Sequence, residues 1–166
     1  MEQSAQRVFP FVGTDPVTIN IRSEEELIEQ ALLALMRRHR KGEVLNSPTA
    51  TQNFLRLRLA HAPNEVFGCI YLDTRNAIIE IEDLFNGTVD GASVHPRVVV
   101  QKALLHNAAA IICYHNHPSG DPTPSRADEV LTRRLRDALG LVDIRLIDHF
   151  VIGVGECVSF AERGLV

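Results

Sequence analysis

The sequence predicts an α/β fold, a core of buried strands and covering helices preceded by a short helical arm. Three observations predict it. Residues 65–73 (EVFGCIYLD) and 109–114 are apolar on both parities, as strands covered on both faces are. Stretches with helical start signals, 96–107 and 125–139, alternate with such strands. The composition, 45% hydrophobic and 23% charged over 166 residues, is that of a globular chain able to bury one sizeable core, which excludes disordered and fibrous classes.

In chain order, Val17, Ile19 and Ile21 alternate with polar neighbours, a pattern read as a short edge strand or as coil. Ser23 followed by Glu26 forms a capping box, and Leu27, Ile28, Ala31, Leu32 and Leu35 recur at helical spacing, so a helix is expected over 24–40. Arg37, Arg38, Arg40 and Lys41 close it, where positive charge suits the helix dipole; contact with nucleic acid is the sharper alternative. Ser47-Pro48 opens a second helix reaching about residue 61, since proline is well placed at the first helical position. The strand 65–73 and a second strand at 77–85 flank the turn chemistry of Asp73-Thr74-Arg75-Asn76, so the two form a hairpin. Alternation in the second strand directs Glu80 and Glu82 to solvent. A loop over 86–95, placed to act as a flap, leads to a helix from Pro96 to about residue 107. The strand at 109–114, a proline-rich loop, a helix from Ser125 and a strand over 143–154 complete the core. The arm with its helix occupies 1–43 and the main domain 44–166.

Seventeen basic against twenty-one acidic residues leave a net charge of −4, which excludes a global basic field for nucleic acid or anionic lipid. The longest apolar run, residues 108–114, has seven residues, against the ~18 that a membrane span needs. The first residues lack a signal-peptide core, so a cytoplasmic protein without membrane association is expected. Cys69, Cys113 and Cys157 are odd in number and lie in apolar sequence, which reads as buried thiols in a reducing compartment.

The chemistry concentrates in residues 115–128, HNHPSGDPTPSRAD. Two histidines at i and i+2 on extended chain project to one side, a spacing that suits two imidazoles on one metal ion. Asp128, three residues after Ser125 at the start of the next helix, can add a third ligand from another direction. His115, His117 and Asp128 with a water make the open tetrahedral set of catalytic zinc, which lowers the pKa of its water to about 7. The bland reading of Ser125-x-x-Asp128 is a capping box, and the two readings are compatible. Asp121 reads as a solvated turn residue. The contiguous letters His115-Asn116-His117 are not evidence for an HNH nuclease, whose residues are dispersed, and neither H-E-x-x-H nor a deaminase signature is present.

The order His115, His117, then seven positions to Ser125 and Asp128 after two more, resembles the JAMM or MPN+ metalloprotease motif. The wording of residues 115–128, with Asp148-His149-Phe150-Val151-Ile152-Gly153 downstream, is similar to the bacterial RadC-like branch of that superfamily, over about residues 44–166. Eukaryotic members usually carry Ser or Thr between the histidines, where this chain has Asn116. The resemblance implies a three-layer α/β/α cytidine-deaminase-like (JAB/MPN) fold with a mixed sheet. It implies that Glu65 of Glu65-Val66-Phe67-Gly68, fifty positions before His115, is the general base, and that Ser125 hydrogen-bonds the oxyanion. Asp148 and His149 match the branch pattern and are read as structural residues or as partners that orient the ligands.

The function that follows is a zinc-dependent hydrolase of a peptide or isopeptide bond, with a protein or peptide substrate. A DNA-repair label attached to RadC-like proteins suggests nucleic-acid binding as an alternative, supported only by Arg37, Arg38, Arg40, Lys41, Arg56 and Arg58 and opposed by the net charge. A partner-binding scaffold without metal is a further alternative, opposed by the complete Glu65, His115, His117, Ser125 and Asp128 set.

Overall fold

The computed structural model describes residues 23–166 except 46, 60–61 and 88–92. The strand or coil expected over 17–21 and the middle half of the proposed flap, residues 88–92, therefore lie outside the described residues. The elements are α1 (Glu24–Arg38), α2 (Pro48–Leu59), β1 (Val66–Leu72), β2 (Ile78–Asn86), α3 (Pro96–Leu105), β3 (Ala110–Asn116), α4 (Arg126–Gly140), β4 (Arg145–Ile152) and β5 (Cys157–Ser159). The strands form one sheet in the order β2-β1-β3-β4-β5. β3 and β4 are parallel and every other pair is antiparallel, so the sheet is mixed. The parallel pair requires a crossover, and α4 supplies it.

The strands with unbroken apolar sequence are the central ones. β1 and β3 are buried almost throughout, because each of their faces meets a helical layer. On one face Phe67, Cys69, Tyr71, Ile111 and Cys113 pack with Val99 and Ala103 of α3 and Leu135 and Leu139 of α4. On the other, Ile70, Leu72, Ile112, Tyr114, Phe150 and Ile152 pack with Phe54, Leu55 and Leu59 of α2. The layers are thus α/β/α. α1 joins the second layer through Leu35, and His39, just past its end, stacks its ring on Phe54 at 4.4 Å.

Gly68 is required by packing. A Cβ there would collide with the Tyr114 ring, which crosses β1 at that point. The Tyr114 hydroxyl then donates to Asp83 at 2.6 Å, and the same carboxylate receives Arg58 at 2.9 Å, tying β3, β2 and α2 together.

Three details depart from the sequence reading. Glu82 does not face open solvent: its carboxylate lies 3.1 Å from Lys102 and 3.3 Å from His106, under α3. β5 was not expected, because three residues carry no readable period; it pairs with the end of β4. Cys69 and Cys113 are buried face to face with sulfurs 3.8 Å apart, but Cys157 on the edge strand is only half-buried. Of the expected basic cluster, Arg40 pairs with Glu43 and Arg58 with Asp83. Among the described residues no helix is long and apolar enough to cross a membrane.

Candidate metal centre

The centre lies where β3 runs out of the sheet. Strand alternation brings His115 and His117 to one side of the chain, with their Nε2 atoms 3.0 Å apart. The loop after β3 is clamped to the end of β4 by His117 N–H to Ile152 O at 2.9 Å and Val154 N–H to Gly120 O at 2.9 Å. Gly153 permits this approach, since a Cβ would strike the Gly120 carbonyl and the Pro122 ring.

α4 starts beside this loop. Ser125 is its N-cap and forms a reciprocal box: the Asp128 amide donates to Ser125 Oγ at 3.2 Å, and Asp128 Oδ2 accepts from the Ser125 amide at 2.7 Å. The Ser125 hydroxyl also donates to Oδ2, at 2.6 Å. The cap delivers the carboxylate to the histidines, with Oδ1 3.4 Å from His115 Nε2 and Oδ2 3.5 Å from His117 Nε2. One donor atom from each of His115, His117 and Asp128 lies within 4.8 Å of the others, and these three form the single such group among the described residues.

The hydrogen bonds behind the ring fix its tautomers. The Thr132 hydroxyl has one proton and gives it to the Asp128 carbonyl at 2.7 Å, since a carbonyl can only accept. His149 Nδ1, 2.7 Å from the same hydroxyl, must therefore be the donor. His149 is fully buried and neutral, its pKa pushed well below the imidazole range by burial first and by His115 second. Its Nε2 then accepts, and His115 Nδ1, 2.9 Å away, donates to it. His117 Nδ1 donates to the Asp121 carbonyl at 2.8 Å. With each Nδ1 committed as a donor, both Nε2 atoms face each other across 3.0 Å, where their lone pairs are free for one metal ion once no proton occupies them. Two facing lone pairs beside a carboxylate fit a divalent cation, and the N,N,O donor set suits zinc.

The carboxylate is electrostatically prepared. Burial raises the pKa of Asp128, yet before a metal binds the pull of His115 and His117, whose Nε2 protons it accepts when the rings are charged, outweighs burial and holds the group far below the usual carboxylate range. His117 is raised, chiefly by its hydrogen bond to Asp128 and in smaller part by the charge of Glu65. Glu65 is half-buried, just ahead of β1, where Phe67 pairs with His115 in register. Its flanking backbone is held by Asn116: Oδ1 accepts the Val66 amide at 2.8 Å and Nδ2 donates to Asn64 O at 3.2 Å.

Asp148 and His149 part company. Adjacent residues on β4 face opposite sides, so His149 meets His115 while Asp148 turns away. The Asp148 carboxylate accepts from its own neighbour His149 N at 2.7 Å, Ser159 Oγ at 2.6 Å and Ala161 N at 2.9 Å, anchoring the C-terminal segment. Asp121 is exposed as expected, but its carbonyl orients His117, a role no side-chain pattern announces. Thr132 and Asn116 were missed as well. Thr132 lies four residues after Asp128, one helical turn on, which was the available signal.

The family model for the RadC-like JAB domain matches residues 45–165. Curated relatives named UPF0758 protein include one from Nitrosococcus oceani, 56% identical over 142 residues, covering 82% of this chain and 63% of the relative. One from Thioalkalivibrio sulfidiphilus is 58% identical over 142 residues with the same coverage, and one from Azotobacter vinelandii is 54% identical over 140 residues, 81% and 62%. The chain thus spans a little under two thirds of the length of these relatives. Sheet, ligand cluster and sequence matches converge, and the chain belongs to the RadC-like JAB domain family.

Proposed function

We propose that this domain is a zinc-dependent metallopeptidase that hydrolyses a peptide or isopeptide bond. The observation that carries the reading is the convergence of His115 Nε2, His117 Nε2 and an Asp128 oxygen, with both imidazole lone pairs aimed at one point. Zinc on this set supplies a Lewis acid that activates water and polarises the scissile carbonyl.

The remaining work falls to side chains of this chain. Glu65 takes the proton from the attacking water as its oxygen bonds to the carbonyl carbon, and returns it to the leaving nitrogen as the C–N bond breaks. Ser125 Oγ turns its hydrogen from Asp128 to the carbonyl oxygen, where charge develops. His149 and Thr132 hold His115 in the required tautomer. Three free thiols suit a reducing cytoplasm.

The test is metal content and peptidase activity of zinc-reconstituted protein. One zinc per chain is expected in the wild type and in Glu65→Gln, and none in the His115→Ala/His117→Ala double variant. Glu65→Gln is expected to lose activity by about 10²–10⁴-fold, the usual weight of a general base. A folded wild type that takes up no zinc would sink the reading.

A further inference from the structure

The wall formed by His117 is shared. On its other side lies a cleft of about 550 Å³ between α2 and the β4–β5 turn, reaching from Asn116 and His117 to Gly155. Leu57, Leu59, Ile152 and Val154 make it mainly apolar, and among the described residues Arg56 is the one Lys or Arg that lines it. A concave apolar site with a few polar groups, beside reactive side chains, has the character of a ligand subsite.

Arg56 is chemically distinctive there. Arg58, two residues on, is neutralised by Asp83 at 2.9 Å. Arg56 is half-buried and donates to the Gly155 carbonyl, but no carboxylate among the described residues lies within ion-pair distance of it. A guanidinium carries five N–H donors, and a carbonyl takes only part of that capacity. Pairing an uncompensated cation at the edge of an apolar cleft with a carboxylate is worth more than the same pairing in open water. Val154 at the rim is 83% exposed, leaving apolar surface for an incoming aliphatic chain.

The geometry points to a substrate-recognition subsite: the cleft takes an aliphatic segment of the substrate, and Arg56 binds a carboxylate next to it while the scissile amide lies over His115, His117 and Asp128. The inference rests on the hydrolase reading for the position of the amide, and it names the substrate class as anionic peptides. The carboxylate belongs either to an acidic side chain or to a free C-terminus.

The test uses zinc-loaded protein and matched peptides that differ only in Glu against Gln at each position, and in free acid against C-terminal amide. Cleavage is read by mass spectrometry, and binding by fluorescence anisotropy on zinc-loaded Glu65→Gln. The wild type is expected to favour the anionic member of one pair by about tenfold. Arg56→Gln, which keeps a donor for Gly155 O, is expected to abolish the preference with zinc content unchanged, and Arg56→Glu to reverse it toward the uncharged member of the pair. Whether the Glu/Gln pair or the acid/amide pair responds identifies the source of the carboxylate. Equal treatment of both pairs by the wild type, or a preference that survives in Arg56→Gln, overturns the proposal. Arg56-dependent binding without cleavage of any peptide upholds the subsite and removes the hydrolase reading. Cleavage indifferent to Arg56 does the reverse.

Discussion

Asn116 holds Glu65 through the backbone. Its carboxamide closes hydrogen bonds to Val66 N at 2.8 Å and Asn64 O at 3.2 Å, one on each side of the glutamate. Because Asn116 sits between the two histidines, one dipeptide step of β3 sets both the metal face and the approach of Glu65 from the neighbouring strand. The strand pleat separates the two tasks: the rings go to one side and the amide to the other.

Removing that amide separates positioning from metal binding. Asn116→Ala is expected to keep one zinc per chain, to lower peptidase kcat by about tenfold or more, and to cost about 1–3 kcal/mol of stability for two lost hydrogen bonds. Zinc stoichiometry, kinetics and urea unfolding on one preparation check it. Loss of zinc with loss of activity would refute the division of labour.

Thr132 acts on the metal site from two residues away. Thr132→Val keeps the shape but removes the acceptor for His149 Nδ1–H, so the tautomer of His115 is no longer dictated. Zinc affinity is expected to fall about 10–100-fold, as for other partners behind metal ligands, while Thr132→Ser restores it. Competition with a chromogenic chelator measures both. Equal affinities in Val and Ser variants would show that the hydroxyl orients nothing.

Gly68 answers to Tyr114. Gly68→Ala forces a methyl group against the ring, and overpacking of this kind costs about 1–3 kcal/mol. Thermal denaturation of the zinc-free protein reads the loss. A midpoint equal to wild type would mean that β1 and β3 can separate more easily than the buried ring implies.

Asp148 yields a pH prediction with a definite sign. Burial raises its pKa, opposed by hydrogen bonds from Ser159, Ala161 and His149. A carboxyl with a raised folded pKa contributes stability that is complete below its unfolded value of about 3.9 and is lost as pH rises through the folded value. Asp148→Asn, which does not titrate, should therefore gain on the wild type as pH rises above the unfolded value of about 3.9 toward the raised folded one, by at most about 1.4 kcal/mol per pH unit. Urea unfolding of both proteins across that range checks it, and a constant difference would contradict it.

Much of the site is legible in the sequence because its ligands are close along the chain. His115 and His117 share a strand face, and Asp128 sits in a capping box whose geometry is local. The strands β1 and β3 announce themselves by apolar runs on both parities, and α4 by Ser125. β5 escapes because three residues are too few for a period, and Glu82 because its partners, Lys102 of α3 and the C-cap His106, come some twenty residues later.

By itself the sequence determined the α/β class, the placement of the main elements and the identity of a His, His, Asp cluster, because periodicity, caps and i, i+2 spacing act within a few residues. Only the tertiary structure decided that His149 and Thr132 set the His115 tautomer, that Asp148 faces away, that Asn116 holds the segment of Glu65, and that Arg56 overlooks a cleft beside His117. Each of those pairings crosses between strands or between a helix and a turn, so it exists only once the order β2-β1-β3-β4-β5 has brought distant segments into register. Side-chain hydrogen bonds of about 3 Å depend on that register to a fraction of an ångström, and no local pattern encodes it.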